Sequence, residues 1–132
     1  MKTVLFVCVH NSGRSQMAEA FFNWLARGKA KAISAGTDPA DAVNSIVIEA
    51  MREVGVDISN NIAKALTREM MERADKVVTM GCGVEGVCPA GFVETEDWEL
   101  EDPKGKTIEK VREIRDDIRA RVLKMLEGLE SG

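Results

Sequence analysis

Apolar residues cluster in a few short runs and a few helical stripes along the chain. Thr3–Val9 (TVLFVCV) is an unbroken β-branched and apolar run, the pattern of a strand buried on both faces. Polar residues break it at His10–Gly13. From Arg14 to Arg27 the apolar positions Met17, Ala18, Phe21, Phe22, Trp24 and Leu25 return at helical spacing, and Gly28 is a stop. This helix predicts Trp24 in the core. Lys31–Ala35 is a second short strand ended by Gly36. Val43–Val54 predicts a helix with Ile46, Val47, Ala50, Met51 and Val54 on one face. Thr67 is a good N-cap for a short helix holding Met70 and Met71. Lys76–Met80 (KVVTM) is a third buried strand. The glycines at 81, 83, 86 and 91, together with Pro89, predict no regular element between the third strand and a short fourth strand at Gly91–Thr95. Thr107 caps a last helix from Ile108 to about Leu129, whose apolar face runs through Val111, Ile118, Val122 and Met125.

Strands alternate with helices throughout. The expected fold is therefore α/β, a parallel sheet with helices on both faces, in one domain spanning 1–132.

Composition narrows the function. At 45% hydrophobic the chain can bury a core without disulfide staples. The net charge of −4 argues against nucleic acid, whose binders carry a basic stripe. It leaves a small anion open, because a local pocket can oppose the global sign. No export signal and no membrane span are visible, so the cytoplasm is expected. There, an odd set of three cysteines points to catalysis or metal binding before structural bridges. With one histidine in the chain, they make a poor zinc set, and no metal is expected.

The chemistry concentrates in Cys8-Val9-His10-Asn11-Ser12-Gly13-Arg14-Ser15. Cys8 ends the first strand and a helix starts at about Arg14. Ligands of open α/β sheets bind beyond the carboxyl ends of the strands. The N–H groups of residues 9–15 can converge into an anion nest, and the helix adds its positive amino end. Both favour the thiolate of Cys8. Arg14 offers a planar fork for two oxygens, Ser15 can donate its hydroxyl to the sulfur, and Asn11 tolerates a left-handed backbone. No Gly-Lys-Ser/Thr follows, so nucleotide binding by a Walker loop is unsupported.

A cysteine, five intervening residues, then Arg14-Ser15 near the amino end resembles the signature of low-molecular-weight protein tyrosine phosphatases and of the arsenate reductases that share their fold. Ser15-Gln16-Met17-Ala18-Glu19-Ala20, Ser34-Ala35-Gly36-Thr37, Asp57-Ile58-Ser59, Val77-Val78-Thr79-Met80 and Asp97-Trp98-Glu99-Leu100-Glu101-Asp102-Pro103 look like the reductase branch. The resemblance implies a four-stranded sheet in the order 2-1-3-4. It implies arsenate as substrate, with phosphate or sulfate as mimics. It makes Cys8 the nucleophile and Asp102 the general acid, which must carry its proton when it acts. It implies that Cys82 and Cys88 form a redox relay. Cys82 takes the disulfide from Cys8 and Cys88 takes it from Cys82, for re-reduction by thioredoxin or another dithiol. The glycines around the pair would give the backbone the freedom that thiol exchange needs. No cofactor is implied.

Some features depart from the family. Five residues separate Cys82 from Cys88, one fewer than in the thioredoxin-coupled form. Gly13 stands where that form often has another cysteine. Family members that bind potassium do so through residues matching Asn11, Glu19 and Ser34, but Lys64 stands where a further acid would. Its amine can pair with Glu19, and no bound potassium is expected. Trp98 is placed as a pocket wall near Asp102, and His10 as a loop residue that faces solvent or orders the loop backbone. The competing reading is a phosphatase acting on phosphotyrosine or small phosphate esters. Against it, Lys104-Gly105 follows Asp102-Pro103 where a phosphotyrosine wall would place an aromatic residue.

Overall fold

The structure, a computed structural model, describes residues 2–80 and 94–131. Four parallel strands form one sheet: β1 (Lys2–Cys8), β2 (Ala30–Gly36), β3 (Lys76–Thr79) and β4 (Glu94–Asp97), in the order β2-β1-β3-β4. The helices are α1 (Arg14–Ala26), α2 (Ser45–Glu53), α3 (Arg68–Arg73) and α4 (Ile108–Ser131).

β1 is central, with Val4 to Cys8 buried on both faces. Its even-numbered side chains face one layer, where Val4 and Phe6 pack with Met17, Phe21 and Phe22 of α1, Val47 and Met51 of α2, and Ile118 and Val122 of α4. Its odd-numbered side chains, Leu5 and Val7, face the other layer with Val77, Ala74 and the half-buried Met70 and Met71. A period of two along one strand thus divides the core in two.

The boundaries follow local chemistry. Arg27 and Gly28 both take left-handed backbone, which ends α1. α2 starts later than its apolar pattern suggests, because the Asn44 side chain caps it, accepting from Ile46 N–H at 3.0 Å. Thr67 caps α3 as expected, accepting from Met70 N–H.

Three expectations need correction. The fourth strand runs through Glu94–Asp97, two residues past the expected end at Thr95; residues 91–93 of the expected strand lie outside those described. An edge strand needs little apolar surface, so the polar Glu96-Asp97 pair hid its end. Trp24 is 49% exposed. At about 100° per residue it sits roughly 90° from the middle of the buried face, and Arg119 covers its ring at 5.7 Å. Trp98 does not wall the pocket: it is core, packed against Phe6 with ring centroids 5.6 Å apart. Its indole N–H donates to Glu96.

Among the described residues no helix is long and apolar enough to cross a membrane.

Candidate active site

The cradle forms where β1 stops. Asn11 takes φ +50°, which turns the chain back over the end of the strand. The carbonyls of this turn are engaged one after another. Those of Cys8, Val9, His10 and Ser12 accept from the N–H groups of Thr37, Asp38, Ala40 and Asn44, at 2.8–3.2 Å. Asn11 C=O accepts from the Gln16 side chain, and Gly13 C=O from Met17 N–H. With its acceptors held by the frame, the loop keeps its amide donors for an anion. The first turn of α1 contributes more donors, since Gly13 offers no side-chain cap.

Two glycines allow this packing. A Cβ on Gly36 would stand 2.7 Å from Val9 O and 2.9 Å from Asn11 N. A Cβ on Gly13 would stand 2.7 Å from Pro103 Cγ, so the segment carrying Asp102 rests directly on the loop.

Cys8 is buried with a free thiol. Its Sγ lies 2.8 Å from Ser15 Oγ and accepts from Asn11 N–H at 3.2 Å. Arg14 is also buried; it donates through one terminal nitrogen to Leu100 C=O at 3.2 Å, and the other lies 3.8 Å from Asp102 Oδ2. Asp102 is half-exposed and accepts from Lys104 N–H at 3.0 Å. Of the residues singled out in the sequence, Cys8, Asn11, Gly13, Arg14, Ser15 and Asp102 therefore converge here. Val9, His10 and Ser12 carry the turn itself, and His10 Nδ1 bonds Asp38 C=O at 2.9 Å. Cys82 and Cys88 lie outside the described residues.

A second layer lies behind the loop. Asn11 Nδ2 donates to Ser15 Oγ at 2.7 Å and to Ser34 Oγ at 3.1 Å. Asn11 Oδ1 accepts from Lys64 N–H at 2.8 Å and from Gln16 Nε2 at 3.0 Å. Lys64 Nζ lies 3.7 Å from Glu19 Oε1, the pairing suggested by its position in the sequence. Burial pushes the Glu19 carboxyl above its usual range; Lys64 and a bond from Ser34 pull it back. Gln16, Asn61, Lys64 N–H and the Leu100 carbonyl were not foreseen as loop supports. A glutamine in a first helical turn looks like any solvent-facing one, and main-chain groups carry no sequence signal. No group of His, Cys, Asp and Glu able to hold a metal occurs among the described residues.

The 2-1-3-4 parallel sheet, with a buried cysteine in an amide-lined loop before α1, defines the class of α/β proteins built around an oxyanion cradle. The family described as low molecular weight phosphotyrosine protein phosphatase matches residues 3–132, and the chain belongs to it. A glutaredoxin arsenate reductase from Synechocystis is 40% identical over 126 residues, 92% of this chain and 94% of that protein. A solved arsenate reductase in the phosphate-binding state is 38% identical, with a TM-score of 0.87 over 97% of this chain and 98% of that one. The thioredoxin-dependent arsenate reductase of Corynebacterium glutamicum is 37% identical with a TM-score of 0.85. That similarity covers 98% of this chain, which spans 62% of the Corynebacterium chain.

Proposed function

We propose that this chain reduces arsenate to arsenite through a cysteine nucleophile and an intramolecular thiol relay. The observation that carries the reading is the Cys8 sulfur held by Ser15 and Asn11 N–H in the same loop whose Arg14 stands 3.8 Å from Asp102. The similarity to arsenate reductases over nearly the whole chain supports it.

The steps follow from the groups present. Loop amides and Arg14 bind three oxygens of arsenate. The Cys8 thiolate attacks arsenic, and Asp102 gives its proton to the departing oxygen, which leaves as water. The Cys82 thiolate then attacks the Cys8 sulfur. The S–As bond breaks, its electron pair stays on arsenic, and arsenite leaves as the Cys8–Cys82 disulfide forms. Cys88 attacks Cys82, freeing Cys8 and leaving Cys82–Cys88 for an external thiol. Chain connectivity supports the first transfer: Met80 N–H donates to Val7 C=O at 2.7 Å, and Cys82 follows Met80 by two residues. Thioredoxin is the dithiol we favour, with glutaredoxin as the competitor, since relatives of both names are similar to this chain. Thiols that must return to the reduced state suit the cytoplasm.

The test is arsenate turnover with thioredoxin, thioredoxin reductase and NADPH, beside Cys8→Ser, Cys82→Ser and Cys88→Ser. Wild type should consume NADPH in proportion to arsenate, and each variant should lose multiple turnover. Full turnover by Cys82→Ser would defeat the relay. Good hydrolysis of an aryl phosphate with arsenate left untouched would favour the phosphatase reading. Replacing thioredoxin by glutathione and glutaredoxin identifies the reductant.

A further inference from the structure

Gln16 is completely buried, yet it belongs to neither the cradle nor the acid. Its Nε2 donates to Ile62 C=O at 2.9 Å, to Asn11 Oδ1 at 3.0 Å and to Asn11 C=O at 3.2 Å. Its Oε1 accepts from Asn61 Nδ2 at 3.1 Å. The amide cannot be turned over, because two of the groups facing Nε2 are main-chain carbonyls, which only accept.

The same reasoning fixes Asn11. Lys64 N–H can only donate, so Asn11 Oδ1 must face it, and Nδ2 must face the hydroxyls of Ser15 and Ser34. Ser15 Oγ thus receives a hydrogen from Asn11, and its own single hydrogen is left for Cys8 Sγ at 2.8 Å. The chain Gln16 to Asn11 to Ser15 to Cys8 runs in one direction and ends with a donor aimed at the sulfur.

We infer that Gln16 is a positioning residue for the nucleophile: beside Lys64 N–H it holds both oxygens of Asn11, and through Asn11 the Ser15 hydroxyl, in place, and it ties the loop to the segment carrying Asn61, Ile62 and Lys64. The role rests on the reading of Cys8 as nucleophile and deepens it. The sulfur reacts in its charged form, and a hydrogen bond from Ser15 orients and supports it there, so a displaced Ser15 hydroxyl slows attack by Cys8. The charged groups around the loop are Arg14 with Asp102 on the open side and Lys64 with Glu19 behind. Replacing Gln16 alters none of them.

The experiment uses a Cys82→Ser/Cys88→Ser background, in which Cys8 is the one remaining thiol. Its alkylation by iodoacetamide is followed from pH 5 to pH 10. Gln16→Met, close in volume but without donors, should alkylate about threefold to tenfold more slowly at pH 6 and converge with its parent at pH 10. Gln16→Leu, also uncharged and without donors, should shift the profile the same way. Circular dichroism confirms that each variant is folded, so either alone suffices. Ser15→Ala should mimic the effect, and adding Gln16→Met to it should change nothing further.

An unchanged profile in a folded variant, even one with a lowered melting temperature, overturns the proposal, as would effects of Ser15→Ala and Gln16→Met that multiply. Arsenate takes no part in this assay. Arsenate turnover is measured separately in the chain with all three cysteines: a shifted profile with no turnover there would defeat the reductase reading alone, and an unchanged profile with that turnover intact would defeat only the positioning role.

Discussion

Replacing Gly13 by alanine tests how the general acid is seated. The added Cβ would stand 2.7 Å from Pro103 Cγ, with Val47 Cγ2 at 3.5 Å behind it. Carbon atoms pack at about 3.5–4.0 Å, so roughly 1 Å must be recovered. Pro103 cannot rotate away, because its ring is part of the backbone. The segment therefore lifts, and it carries Asp102, which now sits 3.8 Å from Arg14. General acid catalysis contributes about 10²–10⁴-fold, and a misplacement of about 1 Å can cost on the order of 10²-fold. Single-turnover arsenate reduction by Gly13→Ala should fall about 10- to 100-fold. Overpacking should also cost about 1–3 kcal/mol of stability. Protection of Cys8 from alkylation by phosphate should hold within about twofold, because the loop amides that bind the anion remain. Adding Gly13→Ala to Asp102→Asn should change the rate little further, since the acid is already lost. Pro103→Ala removes the clashing ring carbon and should restore part of the Gly13→Ala rate. A Gly13→Ala enzyme with full activity, or one whose loss multiplies with that of Asp102→Asn, would refute this seating.

Other outcomes follow from the packing and the charges. Phe22 is fully buried and meets Phe6 edge-on at 6.0 Å, so Phe22→Ala should lose about 3–5 kcal/mol in urea denaturation. Melting temperatures in potassium and sodium chloride should agree, because Glu19 already has the Lys64 amine 3.7 Å away as its counter-charge; a gain specific to potassium would refute this. Glu19 is raised by burial, so its folded state loses stability as pH climbs above the usual 4.5, and Lys64 limits that loss. Lys64→Ala should therefore destabilise more at pH 8 than at pH 4.5, measured by thermal melts. Arg112 and Arg115 hold Glu53 down to about 2 against an ordinary 4.5. A lowered carboxylate stabilises above its unfolded value and loses that contribution as pH falls through the folded one. The melting gap between wild type and Glu53→Gln should accordingly close between about pH 4.5 and pH 2.

Most of the fold was legible because its strands are buried on both faces. The run Thr3–Val9 is apolar at every position after Thr3. Val77, Val78 and Met80 make most of Lys76–Met80 apolar, and turn residues follow each run. Their order in the sheet was not contained in that pattern; it came through the family resemblance. β4 shows where the pattern fails. Its residues, Glu94-Thr95-Glu96-Asp97, are polar, and the strand is recognisable only from its register with β3, Lys76 opposite Glu94 through Thr79 opposite Asp97. Trp24 fails for a related reason. Its hydrophobicity is that of a core residue, but the helix turns it to the margin, where a cation from α4 shields one face.

The site divides along a chemical line. Cys8, Arg14, Ser15 and Asp102 bear groups whose reactivity names them, and their spacing was informative before any fold was known. The supports behind them are ordinary amides and main-chain atoms. Their function lies in which end of each group donates, and that depends on neighbours distant in sequence. Lys64 N–H is 53 residues from the Asn11 oxygen it binds, and the Ile62 carbonyl is 46 from Gln16. Only when the segment between α2 and α3 folds back onto the end of β2, through the bridge between Gly36 and Ala65, do those groups reach the underside of the cradle. The direction of the Ser15 hydroxyl is thus a tertiary property: the sequence supplies every donor and acceptor in the chain, and the packing of that segment against β2 determines which way the hydrogens point.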